Sequence, residues 1–437
     1  MSDAQAPVVI VGAGLAGLAA ARTLVQASIP CTVLETSDRV GGRVTTEMVE
    51  GFLLDRGFQV YITSYPEGGR FLRHEALELG AFVAGSLVWA GGKLHHVADP
   101  SRHPAHGVRA LFAPVVSITD IARLDRIRKN ALKRLASYTP PRQLTETGLD
   151  YLRRRNVSDR AIERFFRPFF GGVLLDREVG VPHEYFEFLF GAFAAGRAAL
   201  PAHGMQAIPD QLAARLPKGV VRLETTVMAI EAGGVALASG ERVAASAVII
   251  ATDAEAAHRW CPALPVVEWN GCTTLYFAAD RPPVSDPILV LNGSGPEDGP
   301  VNHLAVPSNA QPGYAPEDKA LIAATILGDP PDPDEQLKRA VRRQLMRWFG
   351  SDPAGWKHLA TYRVPNALPR FDPALNPGTV TMFEIGGMPV YPCGDYVEDA
   401  SINGALRSGR RVAGAVISAR RAQRPVRDVT QQGPDTA

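Results

Sequence analysis

The chain is poor in cysteine, in net charge and in long apolar runs. Its four cysteines, Cys31, Cys261, Cys272 and Cys393, are scattered through 437 residues. They form no CxxC pair and no metal-ligand spacing, so neither a disulfide framework nor a bound metal is expected. All four read as reduced core residues, which fits a cytoplasmic setting. Lys and Arg number 46 against 45 Asp and Glu, a net charge of +1. Such a balance offers no field for gathering nucleic acid, and nucleic-acid binding is disfavoured. The opening MSDAQAPVVIV has no basic n-region, so no signal peptide is expected. No uninterrupted apolar stretch approaches the length that spans a bilayer.

What is present is an ordinary globular composition, 46% hydrophobic and 21% charged, in a chain long enough for two domains. The strongest local signal is VVIVGAGLAGLAAARTLVQASIPCTVLE. An apolar strand, Val8 to Val11, runs into Gly12-Ala13-Gly14-Leu15-Ala16-Gly17, the spacing of a strand turning tightly into a helix. Gly12 permits the turn, Gly14 lets backbone approach a pyrophosphate, and Gly17 lets the helix over Leu15 to Ala27 pack closely. A second strand, Cys31 to Leu34, ends at Glu35, where a carboxylate can accept both hydroxyls of an adenosine ribose and would repel a 2′-phosphate. The reading is a Rossmann-type dinucleotide cradle, with NADP disfavoured.

Further along, Gly51 to Tyr61 reads as strand and turn, and Pro66 to Leu79 as a helix. From Ile118 to about Phe170 the pattern becomes long charged helices, and His183 to Ala195 a Phe-rich one. Strands return at Val220 to Val227, Val235 to Ala238 and Val243 to Ala251, as though the first sheet resumes. Gly271 to Ala278, Ile288 to Leu291, Val301 to Val306 and Ala320 to Leu327 suggest an antiparallel sheet, closed by a helix over Pro333 to Phe349. Val390 to Cys393 is a last strand, followed by a loop and a long helix from Ser401 to about Arg421. The fold class is therefore α/β: a discontinuous Rossmann-type domain (1–90, 200–262 and 375–421) plus an α+β substrate domain (91–199 and 263–374), an antiparallel sheet with helices. Residues 422–437 read as a disordered tail.

Several motifs in order give the chain its resemblance to flavoproteins of the amine oxidase, phytoene desaturase and protoporphyrinogen oxidase superfamily, over nearly its whole length. After the cradle and Glu35 comes SDRVGGRV, Ser37 to Val44, similar to the family's acidic-x-x-x-R-x-G-G-R element. The resemblance assigns Arg39, Gly41, Gly42 and Arg43 to FAD, with Arg43 suited to a pyrophosphate charge. LDRGFQVY, Leu54 to Tyr61, lies where the family places the turn facing the isoalloxazine ring, so Gly57, Phe58, Gln59 and Tyr61 are expected near it. In LETTVMAI, Val227 matches a valine whose backbone pairs with adenine. Ala251-Thr252 matches a weaker family feature. In PCGDYVEDASINGALRSGRRVAGAV, Gly394 and Asp395 end a strand where an aspartate can bind the ribityl chain. Ser401, Ile402 and Asn403 begin a helix whose N–H groups suit charge developing on the flavin.

One departure shapes the expected chemistry. Amine oxidases carry a lysine on a substrate-domain strand that holds water at the flavin N5. WNGCTTLYFAA, the matching stretch here, has none, and Cys272 or a neighbour stands there instead. FFRPFFGGVLLD, Phe165 to Asp176, resembles the desaturase and porphyrinogen-oxidase side, which handles bulky apolar molecules. The implied activity is FAD-dependent oxidation or desaturation of a largely apolar substrate by hydride transfer, with oxygen or a quinone as acceptor. A redox-neutral flavin-dependent isomerase, an amine oxidase and a non-catalytic flavin-binding protein remain as alternatives. A second dinucleotide fingerprint and a CxxxxC pair are missing, which sets the disulfide reductases aside. No catalytic base stands out, His203 and Tyr391 being the candidates. The basic amphipathic stretch Ile121 to Leu135 could touch a membrane surface. The oligomeric state is not readable from the sequence.

Overall fold

A computed structural model describes residues 6–98 and 115–422. The expected tail, apart from the end of its helix at Ala422, lies outside the described residues.

Val8–Val11 is buried along its length and forms the centre of a six-stranded sheet. Outward on one side come Cys31–Leu34 and Val221–Arg222; on the other come Ala247–Ile250, Met388–Pro392 and Phe383–Ile385. The pairings are parallel except the last. Strands from three distant parts of the chain thus build one sheet, the strand read at Val243 to Ala251 rejoining it as expected. Buried on both faces, such strands are apolar throughout, which made them legible.

Two helices pack against each other on this sheet, Leu15–Gln26 and Ile402–Ala422. Their approach is close because a Cβ on Gly409 would collide with the Ala16 carbonyl, while Gly17 lets the first helix close onto its own strand, where a Cβ would collide with the Gly12 carbonyl. Small residues here set the crossing distance.

The second sheet has seven strands, in the order Lys357–Pro369, Trp269–Ala279, Ala320–Leu327, His303–Ala305, Leu289–Asn292, Gly85–Ala90 and Lys93–Ala98. It is antiparallel except for the parallel pairing of Leu289–Asn292 with Gly85–Ala90, so the expected antiparallel sheet is in fact mixed. Its hairpin Gly85–Ala90/Lys93–Ala98 straddles the boundary expected at residue 90. One face of the sheet packs on the amphipathic helix Asp334–Phe349. The other turns toward the nucleotide unit.

Two helix expectations were too long. Pro66 to Leu79 forms a helix only over Pro66–Phe71, followed by a short 3-10 turn over Glu75–Leu77. Gly68 and Gly69 weaken the helix, and Gly68 is needed because a Cβ there would strike the Tyr61 hydroxyl. The stretch Ile118 to Phe170 is one true helix, Ile118–Arg134, opened by a Ser117/Asp120 capping box. Pro140 and Pro141 then break the chain, and shorter pieces follow: Gly148–Arg154, a π-helical turn over Ile162–Phe166, and Arg167–Leu174. No helix among the described residues is long and apolar enough to cross a membrane.

Candidate functional site

At the end of Val8–Val11 the backbone of Gly12 takes φ +104°, and a Cβ there would lie 2.7 Å from the Ala251 carbonyl oxygen. Gly14 differs: nothing lies within 4 Å of where its Cβ would be. That bare spot, with Leu15 and Ala16, opens onto a cavity of about 1150 Å³. Gly17 is a packing residue behind it. Glu35 lines the same cavity and accepts the Ala13 N–H at 2.7 Å and the Ser37 N–H at 2.9 Å. Its carboxylate, which also accepts the Ser37 hydroxyl at 2.7 Å, therefore ties the glycine turn to the second strand.

The second motif divides in two. Gly41, Gly42 and Arg43 line the cavity, and the Gly41 N–H bonds the Ala13 carbonyl at 2.9 Å. Arg39 points elsewhere, half exposed and paired with Asp38 at 3.0 Å. The Arg43 guanidinium is held by the Asp395 carboxylate at 2.5 Å and by the Ala367 carbonyl at 2.7 Å, and lies 5.2 Å from the centroid of the Trp269 ring. The two polar residues expected at opposite ends of the cofactor motifs thus meet as a pair. Gly394, Asp395, Ser401 and Ile402 line the cavity where the long C-terminal helix begins. Ser401 Oγ accepts the Gly404 N–H at 2.9 Å. Asn403 is buried behind them and accepts the Glu67 N–H at 3.0 Å. Val227 contributes with Thr225 and Thr226, and Ala251 and Thr252 with Asp253, Arg259 and Trp260. Sequence reasoning missed the last three, which sit on or at the start of a short helix, Ala254–Trp260, without a family motif.

The turn after Leu54 is clamped by one face of the second sheet. Along Trp269–Ala279 alternate residues face the same way, and three of them meet the turn. The Tyr276 hydroxyl donates to the Asp55 carbonyl at 2.9 Å, and Thr274 Oγ accepts the Phe58 N–H at 3.3 Å. Cys272 Sγ lies 3.2 Å from where a Cβ on Gly57 would be. Gly57, Phe58 and Gln59 line the cavity, but the Gln59 amide donates to the carbonyls of Arg43 and Arg56 at 3.0 and 3.1 Å. It shapes backbone. Tyr61 is fully buried with its hydroxyl 2.9 Å from His74 Nε2. Burial pushes the Cys272 thiol up to about 11, so it is neither thiolate nor base at neutral pH.

Past this turn the cavity becomes an aromatic chamber walled by Phe58, Phe82, Phe165, Phe169, Phe190 and Phe193, with Tyr65, Tyr185 and His303. The π-helical turn at Ile162–Phe166 aims Phe165 and Phe166 into it. Ile121 and Leu124 of the basic amphipathic helix also line the cavity, and Ile127 and Ala131 are buried. That helix spends its apolar face on the interior. His203 is exposed and Tyr391 is buried in the first sheet; both stand apart from the lining. Phe82 and His303 carried no signal in the sequence, because each belongs to an unremarkable stretch.

The cavity, bare of side chain at Gly14 and lined both by Glu35 and by the clamped Gly57–Gln59 turn, fits a dinucleotide cofactor such as FAD.

The profile of the family described as flavin-containing amine oxidoreductase matches residues 15–417. Putrescine oxidase of Kocuria rosea is 28% identical over 272 residues, 56% of this chain and 53% of the relative. Coproporphyrinogen III oxidase of Bacillus subtilis is 28% identical over 182 residues, 40% of this chain and 37% of the relative. The matches span about half or less of these curated relatives. Among solved structures, a putrescine oxidase bound to putrescine superimposes with a TM-score of 0.70 at 20% identity, covering 95% of this chain and 99% of that one.

Proposed function

From the premise that this chain belongs to the flavin-containing amine oxidoreductase family and that its cofactor is FAD, we propose that it is an oxidoreductase that takes a hydride from a bulky, largely apolar organic substrate, with oxygen or a quinone as final acceptor. The observation that carries this reading is the continuity of the nucleotide cradle with the phenylalanine-walled chamber in one cavity. Bound flavin supplies the hydride acceptor.

The chain's own residues then contribute in three ways. The sheet face of Cys272, Thr274 and Tyr276 holds the Gly57–Gln59 backbone in place, so the reacting faces meet at a fixed separation. The phenylalanines bury the substrate and exclude water from the transfer. Backbone N–H groups where the C-terminal helix begins would favour negative charge developing on the bound cofactor. No side chain of the chamber needs to act as a base for this. The open space beside Gln59 also argues against a protein kept only to bind flavin.

Amine oxidation is the second reading, favoured by the putrescine oxidase relative. Against it stand the lysine-free strand Trp269–Ala279 and the state of Asp125. That carboxylate at the chamber wall already pairs with Lys129 at 2.7 Å and Arg128 at 2.9 Å. A diamine would find no free anion there among the described residues. Anaerobic mixing of the flavin-loaded protein with apolar hydride donors, such as porphyrinogens and polyenes, and with putrescine separates the readings. Lasting bleaching by an apolar donor and not by the diamine is expected. Bleaching by putrescine alone overturns the proposal, and turnover of an apolar compound without bleaching or an acceptor points to isomerisation.

A further inference from the structure

Besides the hydroxyls of Tyr65 and Tyr185, the chamber has a buried imidazole in its wall. His303 lies on the short strand His303–Ala305, is 4% exposed, and faces the cavity with its ring centroid 5.7 Å from that of Phe58. Its neighbours across the sheet are Thr325 and then Thr274, the latter being the residue that accepts the Phe58 N–H. The imidazole therefore belongs to a polar row ending at the clamped turn.

Its tautomer can be worked out from its partner. Asn302 Nδ2 is 2.9 Å from the Pro168 carbonyl oxygen and 3.1 Å from His303 Nδ1. A carbonyl only accepts, so the amide nitrogen must be the atom facing Pro168, and its second hydrogen points at Nδ1. Nδ1 is then an acceptor, and the ring proton sits on Nε2. Gly172 packs on the same edge: a Cβ there would come within 2.8 Å of Nδ1, 3.0 Å of Cε1 and 3.2 Å of Asn302 Nδ2. That edge is closed. Burial, in addition, pushes the ring's pKa down to about 4, so it is neutral at ordinary pH.

We infer that His303 offers its Nε2–H into the aromatic chamber as a fixed hydrogen-bond donor, selecting an apolar substrate that carries an acceptor oxygen, such as a carbonyl or ether, close to the Gly57–Gln59 turn. Left without an acceptor in an apolar wall, such a donor costs binding energy, so the site discriminates against a pure hydrocarbon of the same shape. It discriminates against an ammonium group as well, since the ring's acceptor nitrogen is taken up by Asn302. The inference deepens the proposed function and rests on its claim that the chamber takes an apolar substrate.

The test uses a shape-matched pair, benzophenone and diphenylmethane, titrated against the FAD-loaded full-length chain and followed by the perturbation of flavin absorbance. The wild type is expected to bind the ketone about five-fold more tightly or better. H303F should bind both alike with an unchanged flavin spectrum. H303Q, which restores an N–H donor, should recover part of the preference. Equal binding of the two by the wild type, or an undiminished preference in H303F, overturns the inference while leaving the apolar chamber intact. Failure of both compounds to bind the wild type overturns the chamber reading and the donor with it.

Discussion

Glu35 and Cys272 show how differently single residues announce themselves. Glu35 could be placed from the chain alone, because the distance from the last glycine and the end of a buried strand leave few other roles for a carboxylate. The structure gives it a further role, since its oxygens already accept the N–H groups of Ala13 and Ser37. Replacing it removes the tie that shapes the turn and, on the proposed reading, an acceptor for the ribose. E35A should weaken FAD binding by about 10- to 100-fold, since hydrogen bonds to a charged group are worth about 1.5–3 kcal/mol, and E35Q should lose less. Titration of the stripped protein by flavin fluorescence measures this, and unchanged affinity in E35A removes Glu35 from the site. Cys272 looked chemically suggestive, standing near the place where the family resemblance leads one to expect a lysine. Its environment says otherwise, for the thiol is buried against the Gly57 turn and held protonated. C272S should keep its flavin and turn over within about three-fold of wild type, and the wild-type residue should resist iodoacetamide at pH 8. A hundred-fold loss in C272S, with flavin retained, would make the sulfur a participant.

At the scale of elements, the segment from Gly394 into the long C-terminal helix was legible as a strand end followed by a helix start, but its electrostatics were not. Between them Glu398 and Asp399 are buried, each 6% exposed. Desolvation outweighs the nearby Arg411 and Arg407 and raises Glu398 from 4.5 to about 7; desolvation likewise raises Asp399 from 3.8 to about 6. No pattern in EDASING could foretell this, because it depends on Arg407 and Arg411 further along the helix and on the burial of the whole corner. Because both folded values lie above the unfolded ones, the folded chain prefers the protonated forms. Their contribution to stability is complete below about pH 4 and is lost as pH rises toward 7. Carboxylates shifted the opposite way, such as Glu47, which takes hydrogen bonds from Tyr362 and Arg56, lose theirs only in acid. The fall in melting temperature between pH 5 and pH 8 should therefore shrink by roughly half in E398Q. An identical pH profile in variant and wild type would show that Glu398 ionises as it does in water.

Across the whole molecule, the parts legible in the sequence were those that a local rule constrains: glycines where backbone must come close, strands apolar on both faces, acids at strand ends. The chamber was only partly legible. FFRPFF was visible as an aromatic run, but that Phe82, His303 and two further helices join it depends on how distant segments pack. The same distance makes the cofactor a structural tie. Its cradle is assembled from residues 11–60, 225–260 and 364–405 of the lining, so binding should couple segments that local packing alone leaves less firmly joined. Bound ligand stabilises the folded chain by RT ln(1 + [L]/Kd), about 2.7 kcal/mol at a hundred times Kd. On the proposed reading ADP would reach Gly14, Glu35 and Val227 but not the clamped turn or the start of the C-terminal helix, so its Kd should be weaker and its stabilisation at equal concentration smaller. Stripped protein is expected to melt lowest, to rise modestly with ADP, and to rise furthest with FAD, each tenfold difference in Kd contributing about 1.4 kcal/mol. If ADP at the same concentration matches FAD, the flavin half adds nothing to the fold, and the three segments are joined by protein contacts alone.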